Sequence, residues 1–306
     1  MGDFIAMSNL RYPGVMTALA TPFANGAISY ACLERLVAQQ IAGGVAGLVA
    51  VGTTGESPTV SHDENIEIIA ATVRFAAGRL PVVAGTGSNS TEEAVYLTRR
   101  ADEAGADAFL QVGPYYNKPS AEGMFQHFSA VAACTQKPII LYSIPSRCGT
   151  EIPVEAVVRL AEKHANIIAI KEAGGSCTRV DDLRQALGDR IEILSGDDAL
   201  TLPFIALGAT GVVSVASNVA PAGVVAMVAH ARAGEQAAAL DLHARHLPLF
   251  RALFMEPNPS PVKHGLQRLG LFASAEVRLP LVAASARAQS AIDAALTSLG
   301  LLPAST

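Results

Sequence analysis

Of the five lysines in the 306-residue chain, only Lys171 sits inside a β-branched apolar run, following Ile167-Ile168-Ala169-Ile170. Burying an ammonium is costly unless it is paired or gives up its proton. Desolvation lowers a lysine pKa, and a neutral amine attacks carbonyls. Lys171 therefore reads as a Schiff-base lysine. The competing reading pairs it with a core carboxylate, Glu172 or Asp197. Glu172 suits that role poorly, because neighbouring strand residues face opposite ways.

Other residues could serve such an amine. Tyr142 lies one strand-like run earlier, where a phenol can shuttle protons to an imine; it could equally be a core tyrosine with a satisfied hydroxyl. Thr53 and Thr54 occupy the glycine-flanked turn Gly52-Thr53-Thr54-Gly55-Glu56. Such a turn presents N–H groups and hydroxyls to a small carboxylate, or simply joins a strand to a helix. Arg147 could grip a carboxylate bidentately or be a surface arginine. No metal site is expected. The seven histidines are scattered without a His-Glu-x-x-His pattern, and His243 with His246 reads as a partly exposed helix face. Asp197-Asp198 reads as a helix cap rather than a magnesium site. Cys148 reads as a small loop residue, since no histidine is near it in sequence.

The elements that must hold these residues alternate regularly. Short apolar runs begin near Gly14, Gly47, Pro81, Ala108, Pro138, Ile167, Ile191 and Gly211. Continuous apolar runs fit strands buried on both faces of a parallel sheet. Helical patterns between them open at Ser29, Ser61, Thr91 and Ser120, and Ser61 with Glu64 forms a capping-box signature. Eight strand–helix units end near residue 233, which predicts an α/β fold, a (β/α)8 TIM barrel over 1–233. A doubly wound open sheet competes, but no Gly-x-Gly-x-x-Gly supports nucleotide binding. Residues 234–306 read as a C-terminal helical appendage, broken at Pro248, at Pro257–Pro261 and near Pro280.

Composition narrows the partners. Half of the residues are hydrophobic and 16% are charged, which excludes a disordered chain. The net charge of -5 and the lack of basic runs argue against nucleic acid. No apolar stretch is long enough to span a membrane. The first 14 residues lack a basic segment followed by an apolar core, and Ala6 stands where a myristoylation signal needs Ser or Thr. Four dispersed cysteines without a CxxC suit a reducing cytoplasm.

Six segments occur in one order: Gly-Thr-Thr-Gly-Glu (52–56), Pro-Tyr-Tyr-Asn-Lys-Pro (114–119), Tyr-Ser-Ile-Pro-Ser-Arg (142–147), Ile-Lys-Glu-Ala (170–173), Gly-Asp-Asp (196–198) and Glu-Pro-Asn-Pro-Ser-Pro-Val-Lys (256–263). Together, over residues 12 to 302, the chain resembles the dihydrodipicolinate (4-hydroxy-tetrahydrodipicolinate) synthases of the pyruvate-dependent lyase superfamily. The resemblance implies a lyase of lysine and diaminopimelate biosynthesis that condenses pyruvate with L-aspartate 4-semialdehyde. Lys171 would form the imine, with Tyr142, Thr54 and Tyr116 as proton relay and Tyr116 supplied by a neighbouring subunit. Thr53 and Thr54 would hold the pyruvate carboxylate, Arg147 that of the semialdehyde, and the Val213 carbonyl would face the reacting centre. No cofactor is implied. A homotetramer of two tight dimers is, together with an L-lysine effector cleft at positions matching Ser57, Pro58, His62, Asn65, Asn89, Glu93 and Tyr115. Asn65 stands where sensitive members often carry histidine, so binding with partial inhibition is expected. Ser143 replaces the usual asparagine, which keeps open another pyruvate-dependent aldolase or hydratase, such as a 4-hydroxy-2-oxoglutarate aldolase.

Overall fold

A computed structural model describes residues 12–303. The N-terminal segment on which the secretory and myristoylation readings rest lies outside the described residues, apart from its last few positions. Eight parallel strands close into a barrel: β1 (Gly14–Ala18), β4 (Gly47–Ala50), β5 (Val82–Gly85), β6 (Ala108–Val112), β7 (Ile139–Ser143), β8 (Ile167–Glu172), β9 (Glu192–Ser195) and β10 (Gly211–Ser214). A small antiparallel hairpin, β2 (Phe23–Ala24) with β3 (Ala27–Ile28), stands apart from it. Closure is made by β1, which pairs with β4 on one side and with β10 on the other. Each strand begins within one residue of its expected start, because a strand buried on both faces leaves an unbroken apolar signature.

Two apolar layers hold the barrel. Inside it, Met16, Val49, Val83, Leu110, Ile140 and Leu194 pack together across the axis. Outside it, alternate strand residues pack against helices, among them α1 (Tyr30–Ala42), α2 (His62–Ala76), α3 (Thr91–Glu103) and α4 (Ala121–Ala132). Helix starts follow local capping chemistry. The Ser61 hydroxyl accepts from the Glu64 N–H while the Glu64 carboxylate accepts from the Ser61 N–H. Ser90 and Ser120 cap α3 and α4 through their side chains, so the α3 cap falls one residue before Thr91. Ser29 precedes α1 but makes no side-chain cap bond.

The chain continues through α5 (Pro145–Cys148), α6 (Val154–Lys163), α7 (Cys177–Leu187), α8 (Thr201–Ala206) and α9 (Pro221–Arg232), then α10 (Gln236–Ala252), α11 (Ser260–Arg268) and α12 (Ala286–Ser298). The expected break at Pro248 does not occur: α10 runs through it. A proline inside a helix costs about 3 kcal/mol. Burial of Leu249 and Phe250 immediately after it offsets that cost, at roughly 1.5–3 kcal/mol per side chain. His246 is likewise buried rather than partly exposed.

The last helices are tied to the barrel by charge. Lys263 of α11 forms a fully buried ion pair with Glu56 and donates to the Glu276 carbonyl at 2.8 Å. Arg278 holds the Glu64 carboxylate through two nitrogens at 2.6 and 2.7 Å, and its backbone N–H donates to Glu56 at 2.9 Å. Phe23 of the hairpin lies under both cations, 4.0 Å from Lys263 and 4.4 Å from Arg278. Glu56 itself adopts the left-handed backbone region at φ +57. The turn that carries Thr53 and Thr54 is therefore clamped from behind by the C-terminal region.

Candidate active site

Lys171 stands opposite Tyr142 in the β7–β8 register. Its Nζ lies 4.1 Å from the centre of the Tyr142 ring, inside the barrel. Lys171 is 6% exposed, and among the described residues its amine forms no hydrogen bond and no ion pair. The two expected pairing partners are engaged elsewhere. Glu172 points to the outer face of β8, where it accepts from Arg179 Nε at 2.7 Å and from the Gly174 N–H at 2.6 Å. An Asp197 carboxylate oxygen accepts from the Ala199 N–H at 2.8 Å.

Burial lowers the Lys171 pKa to about 7; the Asp198 charge opposes the shift and Arg147 adds to it. Burial also raises Tyr142, to about 12, while Thr53 beside its hydroxyl and the Arg147 charge pull it back. Near neutral pH the site thus holds a lysine that is partly an amine and a phenol that keeps its proton. That combination suits attack on a carbonyl followed by proton transfer.

The expected site residues fall into three groups. Thr53, Thr54, Tyr142, Lys171, Arg147 and Val213 are on or just beyond strand ends, and Val213 belongs to the inner layer. Thr53 is the threonine beside Tyr142, whereas Thr54 Oγ1 accepts from Asn258 Nδ2 at 3.0 Å. Arg147, on the one-turn helix α5, is exposed and donates to the Asn258 carbonyl at 3.4 Å. Tyr116 stays apart from Lys171: it is 90% exposed, with φ +70. The third group is a cluster at the starts of α2 and α3, with the turns before them and the loop after β6. His62 Nε2 meets Glu93 Oε1 at 2.5 Å, Ser88 also donates to Glu93, and Asn89 Nδ2 donates to the Tyr115 carbonyl at 3.2 Å. Ser57 lies on a 3-10 turn and Asn65 is buried.

Two residues act differently from their sequence reading. Asp198 does not cap α8. Its carboxylate turns to the end of β10 and accepts from the Ser214 hydroxyl, the Val215 N–H at 3.0 Å and the Ala216 N–H at 2.9 Å. Burial pushes its pKa up against those bonds. Ser143 is buried on the outer face of β7, where its hydroxyl accepts from the Ile152 N–H at 3.3 Å. Its side chain is turned away from the Lys171–Tyr142 pair. Asn258, inside a recognisable motif but given no role from sequence, links Thr54 to Arg147; its 204-residue separation from Thr54 hides the contact. Cys148 ends the one-turn helix α5 rather than lying in a loop, and its buried thiol donates to the Gly113 carbonyl at 3.2 Å. No cluster of three or more His, Cys, Asp or Glu side chains fit to hold a metal occurs among the described residues.

Residues 11–299 match the model of the Dihydrodipicolinate synthetase family. A 4-hydroxy-tetrahydrodipicolinate synthase from Parvibaculum lavamentivorans is 48% identical, over 95% of this chain and 99% of that one. The structure of the corresponding synthase from Methylacidiphilum fumariolicum SolV superposes with a TM-score of 0.93 at 50% identity, covering 95% of this chain and 96% of that one. A dihydrodipicolinate synthase structure from Cyanidioschyzon merolae, with lysine bound, superposes at 0.92 and 40% identity, covering 95% and 99%.

The depressed Lys171 pKa has a stability consequence with a definite sign. The folded value lies below the free-amine value of 10.5, so the unfolded chain binds more protons between about pH 7 and 10.5. Stability rises with pH across that window, and the burial penalty is complete below it. Lys171→Met should therefore raise the thermal midpoint by several degrees at about pH 6, with the gain shrinking toward pH 10. Thermal unfolding at both pH values checks this; a variant no more stable at pH 6 would mean the amine carries no burial penalty.

Proposed function

Because the chain belongs to the Dihydrodipicolinate synthetase family, we infer that it condenses pyruvate with L-aspartate 4-semialdehyde to give 4-hydroxy-tetrahydrodipicolinate, a step toward lysine and diaminopimelate. The observation that carries this reading is the unpaired amine of Lys171 over the Tyr142 ring, beside a turn with two hydroxyls. The amine adds to the pyruvate keto carbon and water leaves, forming the imine. Loss of a methyl proton gives the enamine, whose carbon attacks the aldehyde. The substrate amine then closes onto the imine carbon and releases Lys171. The imine is the electron sink, so no cofactor enters this scheme.

Family membership, together with these positions, supports the following roles. Tyr142 passes protons to and from the leaving oxygen, with Thr53 as the next hydroxyl in the relay. Thr54, fixed by Asn258, holds the pyruvate carboxylate together with the Thr53 and Thr54 N–H groups. The Val213 carbonyl faces the reacting carbon. Arg147, on the mouth side, takes the carboxylate of the semialdehyde. Tyr116 completes the relay from a second subunit, within a tetramer built of tight dimers; its exposed ring is consistent with that use. The catalytic unit is the barrel through residue 233, with 234–306 as its brace, in a cytoplasmic enzyme. No helix among the described residues is long and apolar enough to cross a membrane. Ser143 gives no ground for a different second substrate, since its side chain faces away from the pocket.

Borohydride reduction with pyruvate should label Lys171 alone, and a coupled assay should consume the semialdehyde. A bidentate charge-assisted contact is worth roughly 1.5–3 kcal/mol, so Arg147→Ala should lower kcat/KM for the semialdehyde about ten- to a hundred-fold. Pyruvate labelling should survive that change. Loss of labelling with semialdehyde use spared would reverse the assignment.

Inactive Tyr116→Phe and Lys171→Ala chains, once mixed, should regain part of the activity, because a hybrid dimer contains one complete site. No recovery after verified subunit exchange would place both residues in the same chain's site.

The His62–Glu93–Asn89–Tyr115 cluster is proposed as the effector cleft for L-lysine, with Glu93 meeting the ammonium and Asn89 the carboxylate. Asn65 in place of histidine weakens coupling, so millimolar lysine should bind and inhibit only partially. Inhibition requires a preference of lysine for one state of the enzyme. Calorimetry and initial rates with L-lysine check this; neither heat nor inhibition would leave Glu93 as a helix-start carboxylate only.

A further inference from the structure

A second cavity, of about 560 Å³, opens between the end of α1, the start of α9, the middle of α10 and the residues around the end of α12. It shares no lining residue with the Lys171 site. Helix α9 begins at Pro221 without a side-chain cap. Proline brings no N–H, and the N–H groups of Ala222 and Gly223 have no acceptor among the described residues. The first turn of this twelve-residue helix thus leaves two donors, at the positive end of its dipole, on the cavity wall.

His246 of α10 supplies an independent sign of a ligand. It is 6% exposed and lines the cavity. Its Nδ1 lies 2.8 Å from the Leu242 carbonyl, which can only accept, so Nδ1 carries the proton. Nε2 has no partner among the described residues. It is the ring atom aimed at α9: a Cβ on Gly223 would lie 2.1 Å from it. Glycine at that position lets the imidazole touch the first turn of the helix. Arg245, paired with Asp241 at 2.6 Å, also lines the cavity, and Ala42, Leu242, Leu299 and Leu301 make much of the rest apolar.

We propose that this cavity binds a small amphiphilic acid, its oxyanion head on the Ala222 and Gly223 N–H groups and on Nε2 of His246, its short hydrocarbon body along Leu242, Leu299 and Leu301. In its neutral form Nε2 offers a lone pair, so the contact needs one proton, taken from solvent or carried by the head. Binding therefore strengthens as pH falls. Among the described residues the charged and titratable groups around His246 are His243, Arg245 and Asp241, all on α10; α1 and α12 contribute the neutral Gln39 and Ser298, and α9 its backbone.

Calorimetry on the full chain, with inorganic phosphate, n-butyl phosphate and hexanoate at about pH 6 and pH 8, tests the proposal. A buried methylene is worth about fourfold in affinity, so n-butyl phosphate should bind at least about tenfold more tightly than inorganic phosphate. The tighter of n-butyl phosphate and hexanoate identifies the head as phosphate or carboxylate. Binding should be several-fold stronger at pH 6. His246→Phe should weaken it at least about tenfold and leave the condensation rate unchanged, and Gly223→Ala should abolish it by closing the approach. No heat from any of the three, equal affinity at both pH values, or binding untouched by His246→Phe would overturn it.

Discussion

Lys171 reaches the barrel interior at the level of Tyr142 and Leu194, where it is nearly out of solvent and no acid is in contact with it. The arrangement around it keeps that desolvation from being relieved. Glu172, its neighbour in sequence, is sent to the opposite face of the strand and satisfied there by Arg179. Asp198 is turned onto backbone N–H groups and a serine hydroxyl, leaving its charge to act on Lys171 only at a distance. An ion pair at this position would hold the amine protonated, and it would then attack nothing.

The other buried lysine shows the alternative. Lys263 is fully enclosed, with a pKa lowered to about 8 by burial and pulled back by Glu56. It has a carboxylate, a carbonyl and an aromatic face as partners. Breaking such a pair leaves an uncompensated charge, which costs about 3–5 kcal/mol. Its contribution is to hold the Thr53–Thr54 turn against the C-terminal helices. Two buried lysines thus differ in use because one has a carboxylate and a carbonyl in reach and the other only an aromatic ring.

Much of this was legible in the sequence. Strands buried on both faces, serine caps and a lysine inside an apolar run are local signals, and they located the barrel and the position of its central amine. What was not legible depended on contacts remote in sequence. Pro248 stays helical because burial outweighs propensity. Asp198 looks like a cap from its neighbours, yet its partners lie 16 to 18 residues downstream. Which of two adjacent threonines meets the phenol depends on the turn's dihedral angles, and the burial of His246 depends on a glycine in the preceding helix.

The seat taken by Asp198 also bears on what the enzyme excludes. In barrels of this architecture the loops after the last two strands often present N–H groups to a phosphate. Here the chain's own carboxylate already occupies Val215 and Ala216 at the end of the last strand. Those two N–H groups are therefore already satisfied and not open to a phosphate. The protein thus fills, with its own side chain, the seat at the end of β10 that an external anion would otherwise take.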